Sequence, residues 1–269
     1  AMATEAAPLI QEDDQLLRSD ADGIARLTLN RPKASNSLSL GLMAALQAEF
    51  DSIRSDKTVH AVVIAATGKV FCAGHDLKEI RANPGRAAYE ALFSQCSSLM
   101  TSIVKLPQPV IARVHGLATA AGCQLVASCD LAIGSASARF CTPGVHIGLF
   151  CSTPMVALSR NVPRKAAMEM LLTGEEIDSE TAEKFGLINR AVADDALDPT
   201  VDDFCARIAD KSPLTLAIGK EAFYRQLEMG LDEAYDYASQ VMTENMLARD
   251  AEEGIDAFLQ KRPPVWQGK

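Results

Sequence analysis

HGLATAAGCQLVASCD, residues 115–130, is the stretch on which the fold turns. It lies between the β-branched run Pro109–Val114 and the apolar run Leu131–Gly134, so the chain leaves a strand, turns, forms a short helix and enters another strand. Gly116, Ala118, Ala120, Ala121 and Gly122 leave the backbone bare where that helix begins, and the first N–H groups of a helix have no partner inside it. Together with the positive end of the helix dipole they suit an anion, a phosphate, or a carbonyl oxygen that gathers negative charge. A small-residue helix packed tightly against a sheet explains the same composition.

Working outward, GKVFCAGHDL (68–77) repeats the arrangement, because the buried strand Ala61–Ala66 runs into a glycine-containing bend and a helix or turn starts near Asp76. Such bends at strand ends of an α/β layer are where function concentrates. His75 in this bend reads either as a general acid or base or as a partly buried imidazole. Upstream, Leu16–Arg18 and Ile24–Leu29 flank a hairpin-type turn at Asp20–Gly23. Lys33–Ser37 is a polar loop whose Lys33 faces an anionic ligand or solvent, and Ser39–Arg54 has the one-sided apolar pattern of a helix. Residues to about Asp14 read as a tail, with Ala1 ahead of Met2 as an appended residue.

Downstream, the helix Ala87–Lys105 is stopped by Pro107-Gln108-Pro109. FCTPGVHIGLFCSTP (140–154) holds too many glycines and prolines for a regular element and reads as a long irregular loop, the wall of a site or a self-packed segment. Helices at Thr153–Arg160, Pro163–Thr173 and Asp178–Phe185 precede a last strand, Ile188–Ala193, with Asp178 and Gly186 as caps. Beyond Asp198 the periodicity is helical, over Val201–Asp210, Pro213–Met229, Leu231–Arg249 and Ala251–Gln260, and Trp266 reads as a packing anchor. The fold class is α/β, with a core over residues 15–196 and a helical lobe over 197–269. That lobe must cover its apolar faces with the core or with another subunit.

A net charge of −9 over 269 residues argues against nucleic acid and anionic membrane surfaces as partners. No apolar run approaches the roughly 20 residues that span a bilayer. Seven cysteines without a C-x-x-C spacing read as reduced, buried thiols. With an acidic N-terminus that lacks a signal or transit pattern, they lead to the expectation of a cytoplasmic protein. Nucleotide, serine-hydrolase and zinc motifs are absent, and no metal is implied.

Several segments together carry a resemblance. Leu29-Asn30-Arg31-Pro32, Phe71–Glu79 (FCAGHDLKE), Pro109–Asp130, Met168–Gly174 with Ala182–Ile188, and Gly254–Arg262 (GIDAFLQKR) resemble the crotonase superfamily, the enoyl-CoA hydratase/isomerase family. CQLVASCD, TPGV and GLFCSTP look most like its enoyl-CoA hydratase domain-containing subgroup. The resemblance implies a ββα-spiral core with a C-terminal helical lobe, assembly as homotrimers or pairs of trimers, and a lyase of enoyl-CoA hydratase type. Its substrate would be an acyl-CoA thioester, with no separate cofactor.

The oxyanion hole would be the backbone N–H groups of His75 and Ala121, with Lys33, Ala73, Asp76 and Lys261 as candidates for holding CoA. The family's two glutamates, which relay protons during hydration, would fall at Gln124 and Gly144. Gln124 hydrogen-bonds but takes no proton at neutral pH, and Gly144 is expected to leave open space. Hydration by paired carboxylates is therefore disfavoured. His146, Cys123, Cys151 and Ser152 are the other reactive side chains nearby. Ala73-Gly74-His75-Asp76 is also similar to a branch that decarboxylates malonyl-type CoA thioesters, although Cys151 stands about where that branch has a tyrosine. A malonyl-type decarboxylase and a non-catalytic acyl-CoA-binding protein are the alternative readings.

Overall fold

The computed structural model describes residues 14–269, so the expected tail, apart from Asp14, lies outside the described residues. β1 (Leu16–Ala21) and β2 (Ile24–Leu29) form an antiparallel hairpin. Its turn residues Asp22 and Gly23 have φ of 51° and 78°. Two successive positive φ angles define the type I′ turn that matches strand twist, and Asp-Gly fills it well. Because that turn needs only two residues, β1 runs past its expected end at Arg18.

The chain continues through α1 (Leu40–Arg54), whose N-cap Ser39 accepts from the Leu42 N–H, and the fully buried β3 (Ala61–Ala66). Next come α2 (Leu77–Ala82), α3 (Arg86–Lys105), β4 (Val110–Val114), β5 (Leu117–Thr119), α4 (Ala121–Ser128), β6 (Leu131–Ser135) and β7 (Arg139–Cys141). α5 (Ser152–Ser159), α6 (Arg164–Thr173), β8 (Ile177–Asp178), α7 (Ser179–Phe185) and β9 (Arg190–Val192) complete the core sequence. The expected irregular loop at 140–154 is thus corrected. Its start belongs to β7, and Pro143–Ile147 is a 3-10 turn begun by proline and ended by Gly148 at φ 77°.

The main sheet has the order β1-β2-β3-β4-β6-β9 and is parallel beyond the hairpin, while β5-β7-β8 form a small second sheet. Between β4 and β6 the chain leaves the main sheet, adds β5 to the small one, and returns through α4. This is the expected ββα spiral, and it sets α4 against β5 of the small sheet and against α3 and α5. β3 is buried on both faces, as a central parallel strand must be. Val62 and Ile64 face a core shared with Phe50, Phe71, Leu99 and Phe140. Val63, with Ile111 and Ile133, packs on Leu197, Val201 and Cys205 of α8 (Leu197–Ala209). α8 starts before the expected Val201 because Pro199 lies in its first turn, where the missing N–H would be unpaired anyway.

α9 (Pro213–Gln226), α10 (Leu231–Met246) and α11 (Arg249–Gln260) follow. Lys220 of α9 lies 2.6 Å from Asp130 and also donates to the carbonyls of Ile103 and Gln108. The Tyr224 hydroxyl donates to the same carboxylate at 2.7 Å. Large apolar side chains on these helices, among them Phe223, Tyr235, Phe258 and Leu259, are exposed in the single chain. No helix among the described residues is long and apolar enough to cross a membrane.

Asp250, buried at the start of α11, accepts from the Ser212 hydroxyl and from the N–H groups of Gln267 and Gly268. Burial alone would raise its pKa, but these hydrogen bonds prevail and hold it below the usual carboxylate value. A carboxylate depressed in the folded state contributes stability above its unfolded pKa, and that contribution is lost as pH falls through the folded one. Acidification below about pH 4 is therefore expected to release the C-terminal segment. Trp266, the only tryptophan, donates to the Asp210 carbonyl and makes its fluorescence the readout. In Asp250→Asn the acid step should vanish.

Candidate active site

The two bends interlock backbone against backbone. A Cβ on Gly122 would stand 2.1 Å from the Cys72 carbonyl oxygen, and one on Gly116 1.9 Å from that of Lys69. Gly74, at φ 85°, approaches from the other side, where its Cβ would lie 3.0 Å from Ala120 Cβ and 3.2 Å from the Ala121 nitrogen. Only glycine permits such approaches. Hydrogen bonds fix the register, the Cys72 N–H donating to Leu117 O at 3.1 Å and the Thr119 N–H to Cys72 O at 3.0 Å.

The first bend is braced from outside. Leu38 N–H donates to Gly74 O, Asp76 N–H donates to Leu38 O, and Ala73 N–H donates to Ser35 O. Asp76 caps α2 through the N–H groups of Lys78 and Glu79 and pairs with Arg31 at 3.0 Å. These contacts occupy its carboxylate, which makes Asp76 a brace for the bend. The His75 N–H, between the engaged N–H groups of Ala73 and Asp76, donates to nothing among the described residues, and neither does the Ala121 N–H. Ala120 has φ 53° and ψ −118°, a left-handed conformation that costs a non-glycine residue energy. That ψ sets the direction of the peptide carrying the Ala121 N–H.

The His75 ring stands edge to face on Phe93 of α3, with centroids 5.6 Å apart. Burial lowers its pKa, and its buried Nε2 has no partner. The side chain is thus a neutral imidazole beside a backbone donor. Gln124, one turn into α4, is 4% exposed and its Oε1 is likewise buried without a partner, as is Thr142 Oγ1 on the segment after β7.

The expectation of open space at Gly144 is corrected. A Cβ there would lie 2.8 Å from Leu149 O and 2.9 Å from Cys151 Sγ. The Gly144 N–H donates to that sulfur at 3.3 Å. The chain folds back on itself after the 3-10 turn and fills the place from which a glutamate would project. Burial raises the Cys151 thiol, and more strongly that of Cys123, which lies near both Cys141 and Cys151. Cys141 donates to Thr119 Oγ1 at 3.1 Å.

The remaining candidates lie apart from this cluster. His146 Nε2 is 2.9 Å from Thr173 O, so the imidazole serves the C-terminal end of α6. Ser152 is exposed at the start of α5 and bonds only its own loop at Phe150 O. Lys33 is exposed on the turn Pro32–Ala34, which Ser35 ties to Ala73 of the first bend. Lys261 is exposed at the end of α11, a helix packed on α9 and α10. Phe93, Thr119 and Thr142 were not singled out from sequence. Thr119 sits inside the deciding stretch, whereas Phe93 has only its place on the apolar side of a helix to mark it.

A ββα spiral that brings two unpaired peptide donors together at the edge of a small second sheet is a crotonase fold, and solved structures of that fold superpose closely. The chain belongs to the enoyl-CoA hydratase/isomerase family, whose sequence profile matches residues 19–269. An enoyl-CoA hydratase structure from Mycobacterium smegmatis is 53% identical with a TM-score of 0.93, covering 94% of this chain and 99% of its own. The structure of the human enoyl-CoA hydratase domain-containing protein 3 is 46% identical with a TM-score of 0.92, covering 94% and 100%. The Xenopus laevis protein of that name is 47% identical over 91% of this chain and 83% of its own length.

The cytoplasmic expectation is overturned by these relatives. The frog, rat, mouse and human proteins at 44–47% identity are all named mitochondrial. Cysteine usage and net charge describe the folded domain and carry no address.

Proposed function

We propose that the protein binds an acyl-CoA thioester and stabilises its enolate through the N–H groups of His75 and Ala121, without two-carboxylate hydration. The observation that carries this reading is the pair of unpaired peptide donors held together by Gly74 and Gly122. Donors fixed in advance at the place where charge develops lower the barrier most, because nothing has to reorganise during the reaction. The thioester oxygen sits between the two N–H groups, and Lys33 beside the first bend attracts the CoA phosphates, with Lys261 as a second cation. The exposed apolar faces of the 197–269 lobe support assembly as a homotrimer or a pair of trimers.

Calorimetric titration with CoA and acetyl-CoA, followed by a panel of enoyl-, malonyl- and β-hydroxyacyl-CoA esters, tests the proposal. Binding with conversion of at least one ester is expected, and no binding of any CoA compound defeats it. The second reading, a non-catalytic acyl-CoA-binding protein, is favoured by Gln124 and by the filled space at Gly144, and predicts binding without conversion. Malonyl-type decarboxylation is less well matched, since Cys151 stands about where that branch has a tyrosine.

Writing both glutamates back, as Gln124→Glu with Gly144→Glu, is expected to give no gain in crotonyl-CoA hydration. The side chain at 144 would displace Cys151 and Leu149 O, at a cost of about 1–3 kcal/mol in overpacking. A marked gain of hydratase activity would show that the loop yields and that only the acid/base groups distinguish this chain from a hydratase.

A further inference from the structure

Cys151 follows Gly144 by seven residues, yet the loop between them turns back so that the Gly144 N–H donates to its sulfur. The sulfur lies where a side chain leaving residue 144 would begin, 2.9 Å from that Cβ position. Glycine supplies the room and the thiol takes the place. Cys151 also lies near Cys123 of α4, the helix whose first N–H is that of Ala121. The next residue on that helix, Gln124, holds the buried oxygen without a partner. At 8%, Cys151 is the most exposed of the seven cysteines. A buried acceptor with nothing to accept, one residue along the helix from Cys123, marks a place where a polar ligand completes the contacts.

We propose that Cys151 is the proton donor to the α-carbon of the bound thioester, occupying the position that a carboxylate at residue 144 would serve, with the Gln124 amide orienting the acyl group. This rests on the acyl-CoA reading above. In the step, the electron pair of the enolate forms a C–H bond at the α-carbon as the Cys151 S–H bond breaks. The enolate oxygen, held by His75 and Ala121, becomes a thioester carbonyl, and the thiolate regains a proton from water. In reverse the minor fraction present as thiolate removes the α-proton. Burial keeps the thiol protonated at neutral pH, as a donor must be.

Exchange of the α-protons of butyryl-CoA in D₂O, followed by NMR, tests the step without knowledge of the natural acyl group. The wild-type protein is expected to exchange them. Cys151→Ser, which still accepts from the Gly144 N–H, and Cys151→Ala should lose about 10²-fold or more in exchange, while calorimetric affinity for butyryl-CoA stays within about threefold. Retained affinity is also the check that both variants fold. Exchange by both variants at the wild-type rate overturns the assignment, as does a wild-type protein that binds butyryl-CoA without exchanging it. A wild-type protein that binds no CoA ester defeats the acyl-CoA reading itself, a separable result.

Discussion

Gly122→Ala is expected to lower thioester turnover by about 10²–10³-fold, the usual effect of losing one oxyanion donor, and to destabilise the fold by about 3 kcal/mol or more. The added methyl would stand 2.1 Å from the Cys72 carbonyl oxygen and 2.8 Å from its carbon. Neither is the end of a flexible side chain, so the start of α4 must move away from the first bend. That movement separates the Ala121 N–H from the His75 N–H, whose proximity depends on Gly74 closing from the other side. Gly219 of α9 has open space around its Cβ position, and Gly219→Ala should be neutral or stabilising by up to about 1 kcal/mol. Urea melts and turnover of any accepted CoA ester separate the two substitutions. A Gly122→Ala protein with wild-type stability and turnover would mean that the bends do not meet as described.

Asp130→Ala should be the most destabilising replacement of a charged residue, by about 3–5 kcal/mol, the range for breaking one side of a buried ion pair. The Lys220 side chain is 7% exposed and that of Asp130 14%. Burial pulls the Lys220 pKa down and Asp130 holds it up, so an ammonium without its carboxylate would lose its proton or draw in water. The Tyr224 hydroxyl and the Val110 N–H would lose the same acceptor. Asp130→Asn keeps one acceptor oxygen where the carboxylate has two, each engaged by a different donor, and should still cost less than Asp130→Ala. Lys220→Met removes the desolvated charge and leaves Asp130 two donors, so it should also cost less than Asp130→Ala. Because α9 is clasped just beyond the end of α4, the loss should show in denaturant melts and in early amide exchange of α9. Asp130→Ala melting with the wild type would remove the ion pair from the account of stability.

Much of the fold was legible because its signals are local. Glycine and alanine at 116–122 announce a close backbone approach, the unbroken apolar run Ala61–Ala66 marks a strand buried on both faces, and Asp178 and Gly186 bracket α7 as caps. β5, β7 and β8 were not legible, since strands of two or three residues are too short for a period to register. At the site, the two bends could be read but what fills Gly144 could not. The absence of a carboxylate there is written at residue 144, whereas its replacement comes from Cys151 and depends on how the intervening loop turns back. Phe93 against His75 is likewise a contact between distant segments with no shared pattern.

In the function proposed above, both groups that polarise the thioester are peptide N–H groups, and a peptide N–H neither titrates in water nor oxidises. Except by proline, it is also not removed by replacing the side chain on its own residue. On that proposal the polarising half of the site is written in its neighbours, Gly74, Ala120 and Gly122, while the proton-handling half is written in the side chains at 124, 144 and 151. The two halves can change independently. A chain of this fold can exchange one proton donor for another, or lose the donor altogether, and still hold an enolate.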